Sequence, residues 1–292
     1  MDTIQLRAMG KINLALDVLG RLENGYHEVR MIMQTVQLYD RVTLTLREDA
    51  DIVIHTNLPF LPTDKNNIAW KAARLMADTF GLDRGVDVDI EKHIPVAAGM
   101  AGGSTDAAAV LFGMNRLFGL GQPMKRLMEL GVTLGADVPY CLMRGTALSE
   151  GIGEILTPLP ALPDCHILIA KPGVSVSTRS VYERIDSCGV PSHPDIDGMI
   201  GALKANDLDG VADRMANVLE AVTIAAHPQI DAIKQTMKDC GAKNALMSGS
   251  GPTVFGLFDD KAKAIRAKEE LRAGRKARQI YLTKAFNRRK RR

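Results

Sequence analysis

PVAAGMAGGSTDAAAVL, residues 95–111, sets Gly99, Gly102 and Gly103 ahead of a run of small and apolar side chains. A chain that only had to turn could manage with one Asn-Gly pair, so glycines in a Ser-Thr-Asp context imply that something large approaches the main chain. No lysine follows them in the Walker A spacing G-x-x-x-x-G-K-[ST], and their own spacing is not G-x-G-x-x-G. The physical logic of the segment remains: successive amides at a glycine turn form an anion nest, and the N-terminus of a following helix adds partial positive charge. Ser104 and Thr105 supply hydroxyls where phosphate oxygens or a bound Mg²⁺ would lie, and Asp106 suits a first-turn position on dipole grounds. The competing reading is an interior glycine loop, with Ala107, Ala108 and Ala109 letting the helix sit close against a sheet. The residues by themselves leave both open.

Upstream, KINLALDVLG, VRMIMQTVQLYD, RVTLTLRE and DIVIHT alternate apolar residues or are rich in β-branched ones and predict strands, with Asn24-Gly25 as a hairpin turn between the first two. The opening is therefore expected to be a β-meander. NNIAWKAARLMADTF carries Ile68, Ala72, Leu75, Met76 and Phe80 at helical spacing, with Trp70 expected in the core, and VDVDIEKHIP alternates as a strand leading into the glycines. Downstream, helices are expected from about Ser104 to Phe118 and over PMKRLMELGVTLG, then a hairpin over GTALSEGIGEILTPLP. TPLPALPDC places three prolines between periodic segments, which sets an expected boundary near residue 160 between domains of residues 1–160 and 161–292. Past it, CHILIAKP, NALMSG, TVFGLFD and ARQIYLTKAF predict strands separated by helices, an α+β arrangement with helices on one face.

At 292 residues the chain is near the upper limit for one core, which agrees with two domains. The formal net charge of +3 is too small to argue for nucleic acid, and much of it sits in RRKRR at 288–292, which reads as a solvated tail. MDTIQLRAMG lacks the charged start and apolar core of a secretory signal, and no apolar stretch of about 20 residues could span a bilayer, so a cytoplasmic protein without a membrane partner is expected. Cys141, Cys165, Cys188 and Cys240 show no C-x-x-C spacing and the histidines form no H-x-x-x-H pair, so no protein-held transition metal is expected. Nothing in the sequence sets an oligomeric state.

PVAAGMAGGSTDAAA resembles the P-x-x-x-G-L-G-S-S-A-A phosphate loop of the galactokinase, homoserine kinase, mevalonate kinase and phosphomevalonate kinase (GHMP) superfamily, with Ala101 where that pattern prefers glycine and extra residues around Gly102 and Gly103. GKINLALDVLGRLENGYHEVRMIMQTVQLYD is similar to the P-x-K-I-N-L…G-Y-H opening of the branch of that superfamily whose acceptor is a cytidine diphosphate-linked methylerythritol. MSGSGPTVFGLF resembles the third superfamily motif, and KPGVSVSTRSVY the segment that opens the second domain. The resemblance implies an α+β, two-domain GHMP kinase fold: a ribosomal protein S5 domain 2-like N-terminal domain and a ferredoxin-like C-terminal domain. It also implies transfer of the γ-phosphoryl of ATP to the C2 hydroxyl of that acceptor, in the non-mevalonate route to isoprenoid precursors. A superfamily kinase with another alcohol acceptor, such as mevalonate or a sugar, and a non-catalytic nucleotide-binding regulator are the alternatives.

The same resemblance assigns roles residue by residue. Lys11 and Asp137 fall at catalytic positions, where a carboxylate would orient the attacking hydroxyl and accept its proton while an ammonium favours the alkoxide-like oxygen. Without it, Asp137 reads as a turn or helix cap and Lys11 as an edge-strand lysine. ATP binding is implied for Asn67 and for Pro95, Val96, Ala97, Ala98, Gly99, Met100, Ala101, Gly102, Gly103, Ser104 and Thr105, with Gly249, Ser250 and Gly251 supporting the phosphate loop. Mg²⁺ would be carried by the ATP phosphates, with Ser104 the candidate protein ligand and no tight protein site. Asn13, two residues after Lys11 and on the same strand face, would meet the acceptor together with Tyr26, His27, Thr178 and Tyr182. A phenol ring and an imidazole supply a stacking face and hydrogen-bonding edges for a pyrimidine.

Overall fold

The computed structural model describes residues 2–190 and 192–287; the basic tail at 288–292 lies outside the described residues. The chain forms two compact units, one of residues 1–10, 38–96 and 101–143, the other of residues 11–37, 97–100 and 144–292. Two long strands, β1 (Thr3–Arg21) and β2 (His27–Leu46), pass from one unit to the other.

In the first unit, β3 (Ile52–Thr56) runs parallel to β4 (Val86–Glu91), Ile52 opposite Val86, and β4 runs antiparallel to the end of β2, Arg41 opposite Glu91. The expected meander is corrected here: β4 lies between β2 and β3, because α1 (Ile68–Phe80) returns the chain in the crossover sense that parallel strands require. α1 is legible in its ends. Asn67 caps it by accepting from the Ala69 amide, Ala69, Ala72, Ala73 and Met76 form its buried stripe, and Gly81 closes it in the left-handed conformation. Trp70, expected in the core, is only half-buried, its indole N–H donating to the Ile52 carbonyl at 3.2 Å. α2 (Gly102–Leu117) packs against α1 and against α4 (Asp137–Met143), with α3 (Met124–Val132) beside α4. The small side chains Ala107, Ala108 and Ala109 let α2 be enclosed.

In the second unit, β5 (Thr146–Glu150) pairs with β2, Met31 opposite Ser149, and forms the expected hairpin with β6 (Ile155–Pro158). β7 (His166–Lys171) is followed by α5 (Thr178–Cys188), α6 (Ile196–Ala205) and α7 (Leu208–Asp213). The two-residue β8 (Ala216–Asn217), which no periodicity announces, runs parallel to β1 with Ala15 opposite Ala216. Then come α8 (Glu220–Ala226), α9 (Gln229–Asp239), β9 (Asn244–Met247), β10 (Val254–Phe258), α10 (Lys261–Ala273) and β11 (Gln279–Lys284). The strand order β11-β7-β10-β9 is antiparallel throughout and gives the ferredoxin-like split arrangement, with α9 and α10 packed on it. Consecutive residues of β7, Ile167 to Ala170, and all of β10 are buried, so both faces of this sheet are covered.

Candidate active site

The glycine segment changes unit between Met100 and Ala101. In the first unit, Ala101 takes the left-handed conformation (φ 56°, ψ 32°) as the residue before α2, which is why a glycine suits that position, and a side chain there costs of order 1 kcal/mol. The amides of Gly102, Gly103 and Ser104 open the helix and have no partner within it, as in any first turn. Thr105 is buried, its hydroxyl donating to the Met9 carbonyl at 2.8 Å, whereas Ser104 stays half-exposed. Of the two hydroxyls, Ser104 carries the accessible one. Asn67 uses its side chain at the start of α1, accepting from Ala69 and donating to the Pro62 carbonyl. Asp137 begins α4 and is half-buried.

Under the start of α2 lies a cluster that the sequence reading missed. Lys92, just past β4, pairs with Asp40 and with Asp106 (2.6 Å), all three buried, and its Nζ also reaches the Gly102 carbonyl at 3.4 Å. Asp40 Oδ1 accepts from the amides of His93 and Ile94. Asp106 is therefore an interior ion-pair partner on α2, not the dipole-placed first-turn residue expected. Burial lifts its carboxyl up to about 8 against the pull of the Lys92 ammonium, with Asp40 adding to the lift. Burial alone would lower the pKa of Lys92, but Asp106 and Asp40 outweigh it and raise the value. The available signal was a lone carboxylate amid alanines and valine, which needs a partner if buried.

In the second unit, Lys11, Asn13 and Asp17 are buried polar residues on the odd-numbered face of β1. Lys11 Nζ donates to Asn13 Oδ1 at 2.8 Å, and the Lys11 amide donates to the Met100 carbonyl at 3.1 Å. A buried Lys11 is not an edge-strand lysine. Gly99 (φ 69°) sits so close to the 248–251 turn that a Cβ would fall 2.1 Å from the Ser248 carbonyl oxygen, and Ser248 Oγ donates to the Gly99 carbonyl. Only glycine fits there. The turn is held in place by Asn217, whose Nδ2 donates to the carbonyls of Met247 and Gly249, a residue that sequence reasoning did not find. Thr178 and Ser250 share a hydroxyl hydrogen bond of 2.8 Å. The rings of His27 and Tyr182 meet at a tilt, centroids 4.7 Å apart and planes at 36°, and Tyr26, next to His27 in the chain, is exposed.

The first unit thus carries Asn67, Pro95, Val96, Ala101 to Thr105 and Asp137. The second brings together Lys11 with Asn13, Ala97 to Met100 with the Gly249–Gly251 turn, Thr178 with that turn, and His27 with Tyr182. Among the described residues, no group of three His, Cys, Asp or Glu side chains could hold a metal ion, and no helix is long and apolar enough to cross a membrane.

Residues 67–145 match the GHMP kinases N terminal domain and residues 199–276 the GHMP kinases C terminal domain. The chain is 60% identical to the 4-diphosphocytidyl-2-C-methyl-D-erythritol kinase of Lachnospira eligens, over 98% of this chain and 99% of that one. It is 49% identical to the enzyme of the same name from Alkaliphilus metalliredigens, over 99% of each. A crystal structure of 4-(cytidine 5'-diphospho)-2C-methyl-D-erythritol kinase superposes with a TM-score of 0.83 at 31% identity, covering 98% of this chain and all of the other. A homoserine kinase from Cytophaga hutchinsonii shares the fold, with a TM-score of 0.77 at 21% identity over 97% and 95% of the two chains.

Proposed function

Because the chain belongs to the GHMP kinases, and within them to the 4-diphosphocytidyl-2-C-methyl-D-erythritol kinase family, we propose that it phosphorylates the C2 hydroxyl of 4-diphosphocytidyl-2-C-methyl-D-erythritol. The products are the 2-phosphate and ADP, in the cytoplasmic, non-mevalonate supply of isoprenoid precursors. The observation that carries the acceptor is the His27–Tyr182 ring pair, which joins the β1–β2 turn to α5 in a platform suited to a pyrimidine. An acceptor without a base gives no reason for it.

Asp137 orients the C2 hydroxyl and takes its proton as the new P–O bond forms, while the Lys11 ammonium stabilises charge on the attacking oxygen. Asn13, fixed by Lys11, hydrogen-bonds the acceptor. The amides of the glycine segment would bind the triphosphate, with the 248–251 turn steadying Gly99, and Asn67 would meet the adenine. Mg²⁺ would be carried by the ATP phosphates, and the half-exposed Ser104 hydroxyl would be the protein donor suited to a hard cation. A boundary near residue 160 belongs to the same proposal, supported by the family matches that fall on either side of it.

A coupled ADP-release assay with the cytidine-linked alcohol, mevalonate, homoserine and galactose tests the acceptor. Turnover is expected with the first alone; turnover with another alcohol reassigns the substrate, and none with any of them favours a regulator. Asp137→Asn is expected to lower kcat by about 10²–10⁴-fold with the fold retained, and an Asn variant of full activity removes Asp137 from the mechanism.

A further inference from the structure

We infer that Asp186 is a positioning residue for the acceptor's base, acting through His27; the inference rests on the proposed placement of the nucleoside at Tyr26, His27 and Tyr182. His27 follows a tight turn in which the Leu22 amide donates to the Tyr26 carbonyl and the Tyr26 amide to Asn24 Oδ1. A turn of this kind presents its residues well only if its end is anchored. The anchor is on α5: His27 Nε2 lies 2.6 Å from Asp186 Oδ1. The other carboxylate oxygen faces Arg21 Nη1 at 3.5 Å, on the strand entering the turn. One carboxylate therefore ties both stems of the turn.

Helix geometry explains why the same helix supplies ring and carboxylate. Tyr182 and Asp186 are four residues apart on α5 and share a face, so the helix that lays Tyr182 on His27 also delivers Asp186 to the imidazole edge. With Nε2–H donating to the carboxylate, the ring has one orientation and one tautomer. Without it, His27 can rotate about its side-chain torsions and the platform loses its plane. Asp186 thus acts on the acceptor without having to touch it.

The experiment measures KM for ATP and for the cytidine-linked acceptor in wild type, His27→Ala, Asp186→Leu, Asp186→Asn and the double variant H27A/D186L. Asp186→Leu is expected to raise the acceptor KM about tenfold, the scale of one charge-assisted hydrogen bond, and to change the ATP KM by less than about twofold. Asp186→Asn is expected to recover most of the loss, since its amide oxygen still accepts from Nε2–H. In the His27→Ala background Asp186→Leu is expected to add nothing. An unchanged acceptor KM in Asp186→Leu, with His27→Ala raising it, overturns this inference alone, as does an undiminished Asp186 effect in the double variant. If His27→Ala leaves the acceptor KM untouched, the nucleoside placement itself fails and takes the inference with it. Asp186→Ser carries the same test should leucine prevent folding.

Discussion

Each unit holds a cluster gathered around one charged side chain, and the two clusters differ in burial. In the first, the Lys92 ammonium lies between the carboxylates of Asp40 and Asp106, whose side chains are 5%, 0% and 6% exposed. In the second, the Asp186 carboxylate lies between His27 and Arg21, at 29%, 11% and 63% exposure. The contacts are of similar kind, yet water reaches only the second cluster. Excluding water strengthens the attraction but also makes any charge left unpaired costly, so the buried cluster is one the fold cannot lose a member of, while the exposed one sets the attitude of a surface turn. Proximity of opposite charges does not by itself say which role a cluster plays.

The sharpest way to break this contrast is to remove each central charge. Lys92→Met leaves the buried Asp40 carboxylate without its cation, beside an Asp106 that keeps its proton, and about 3–5 kcal/mol of stability should be lost in urea unfolding at neutral pH. A loss under about 1 kcal/mol would put the cluster in the same class as its exposed counterpart.

Next in size is a pH effect confined to the buried side. The folded-state pKa of Asp106 is lifted from its ordinary 3.8 to about 8, so between these values the folded protein holds a proton that the unfolded chain releases. Stability from this group is complete below pH 4 or so and is lost as the pH rises through about 8. Wild type should therefore lose more stability between pH 5 and pH 8 than Asp106→Asn, as read from the urea midpoints of both proteins at both pH values. Equal slopes would show that Asp106 does not carry the linkage.

The smallest effect belongs to the exposed cluster. Asp186→Ala should change the unfolding free energy by no more than about 1 kcal/mol, because partly solvated pairs contribute little, even where acceptor binding suffers. A loss as large as that of Lys92→Met would make Asp186 a fold-holding residue and would dissolve the distinction.

Much of the secondary structure could be read along the chain, for reasons that differ by element. α1 was legible to its ends, since an asparagine cap, an apolar stripe and a terminal glycine are all local signals. α2 starts two residues before the expected Ser104, because Gly102 and Gly103, poor in a helix interior, are tolerated in a first turn that the preceding Ala101 sets up. VRMIMQTVQLYD and RVTLTLRE, expected as separate strands, form the single strand β2, because Asp40 at their junction is buried and satisfied by Lys92 and two amides. The order β3-β4-β2 was misread because strand adjacency is not a local property.

For the candidate site, residue types and spacing marked the glycine segment, while the family resemblance picked out Lys11, Asn13, Tyr26, His27 and Asp137. Asn217, Asp186, Asp40 and Lys92 gave no such sign. Each looks ordinary in its own stretch, and each matters through a partner distant in sequence, Asn217 to Gly249 or His27 to Asp186.

What the sequence by itself determined is the short-range part: helical and strand periods, caps, the glycines needed where backbone must meet backbone, and membership in a kinase family. Only the tertiary structure decided which charges face each other, which of those pairs are dry, and that residues 11–37 cluster with the C-terminal half. The physical reason is range. Periodicity and capping act over a few residues, whereas desolvation depends on everything that covers a group, and that is known only once the whole chain is in place.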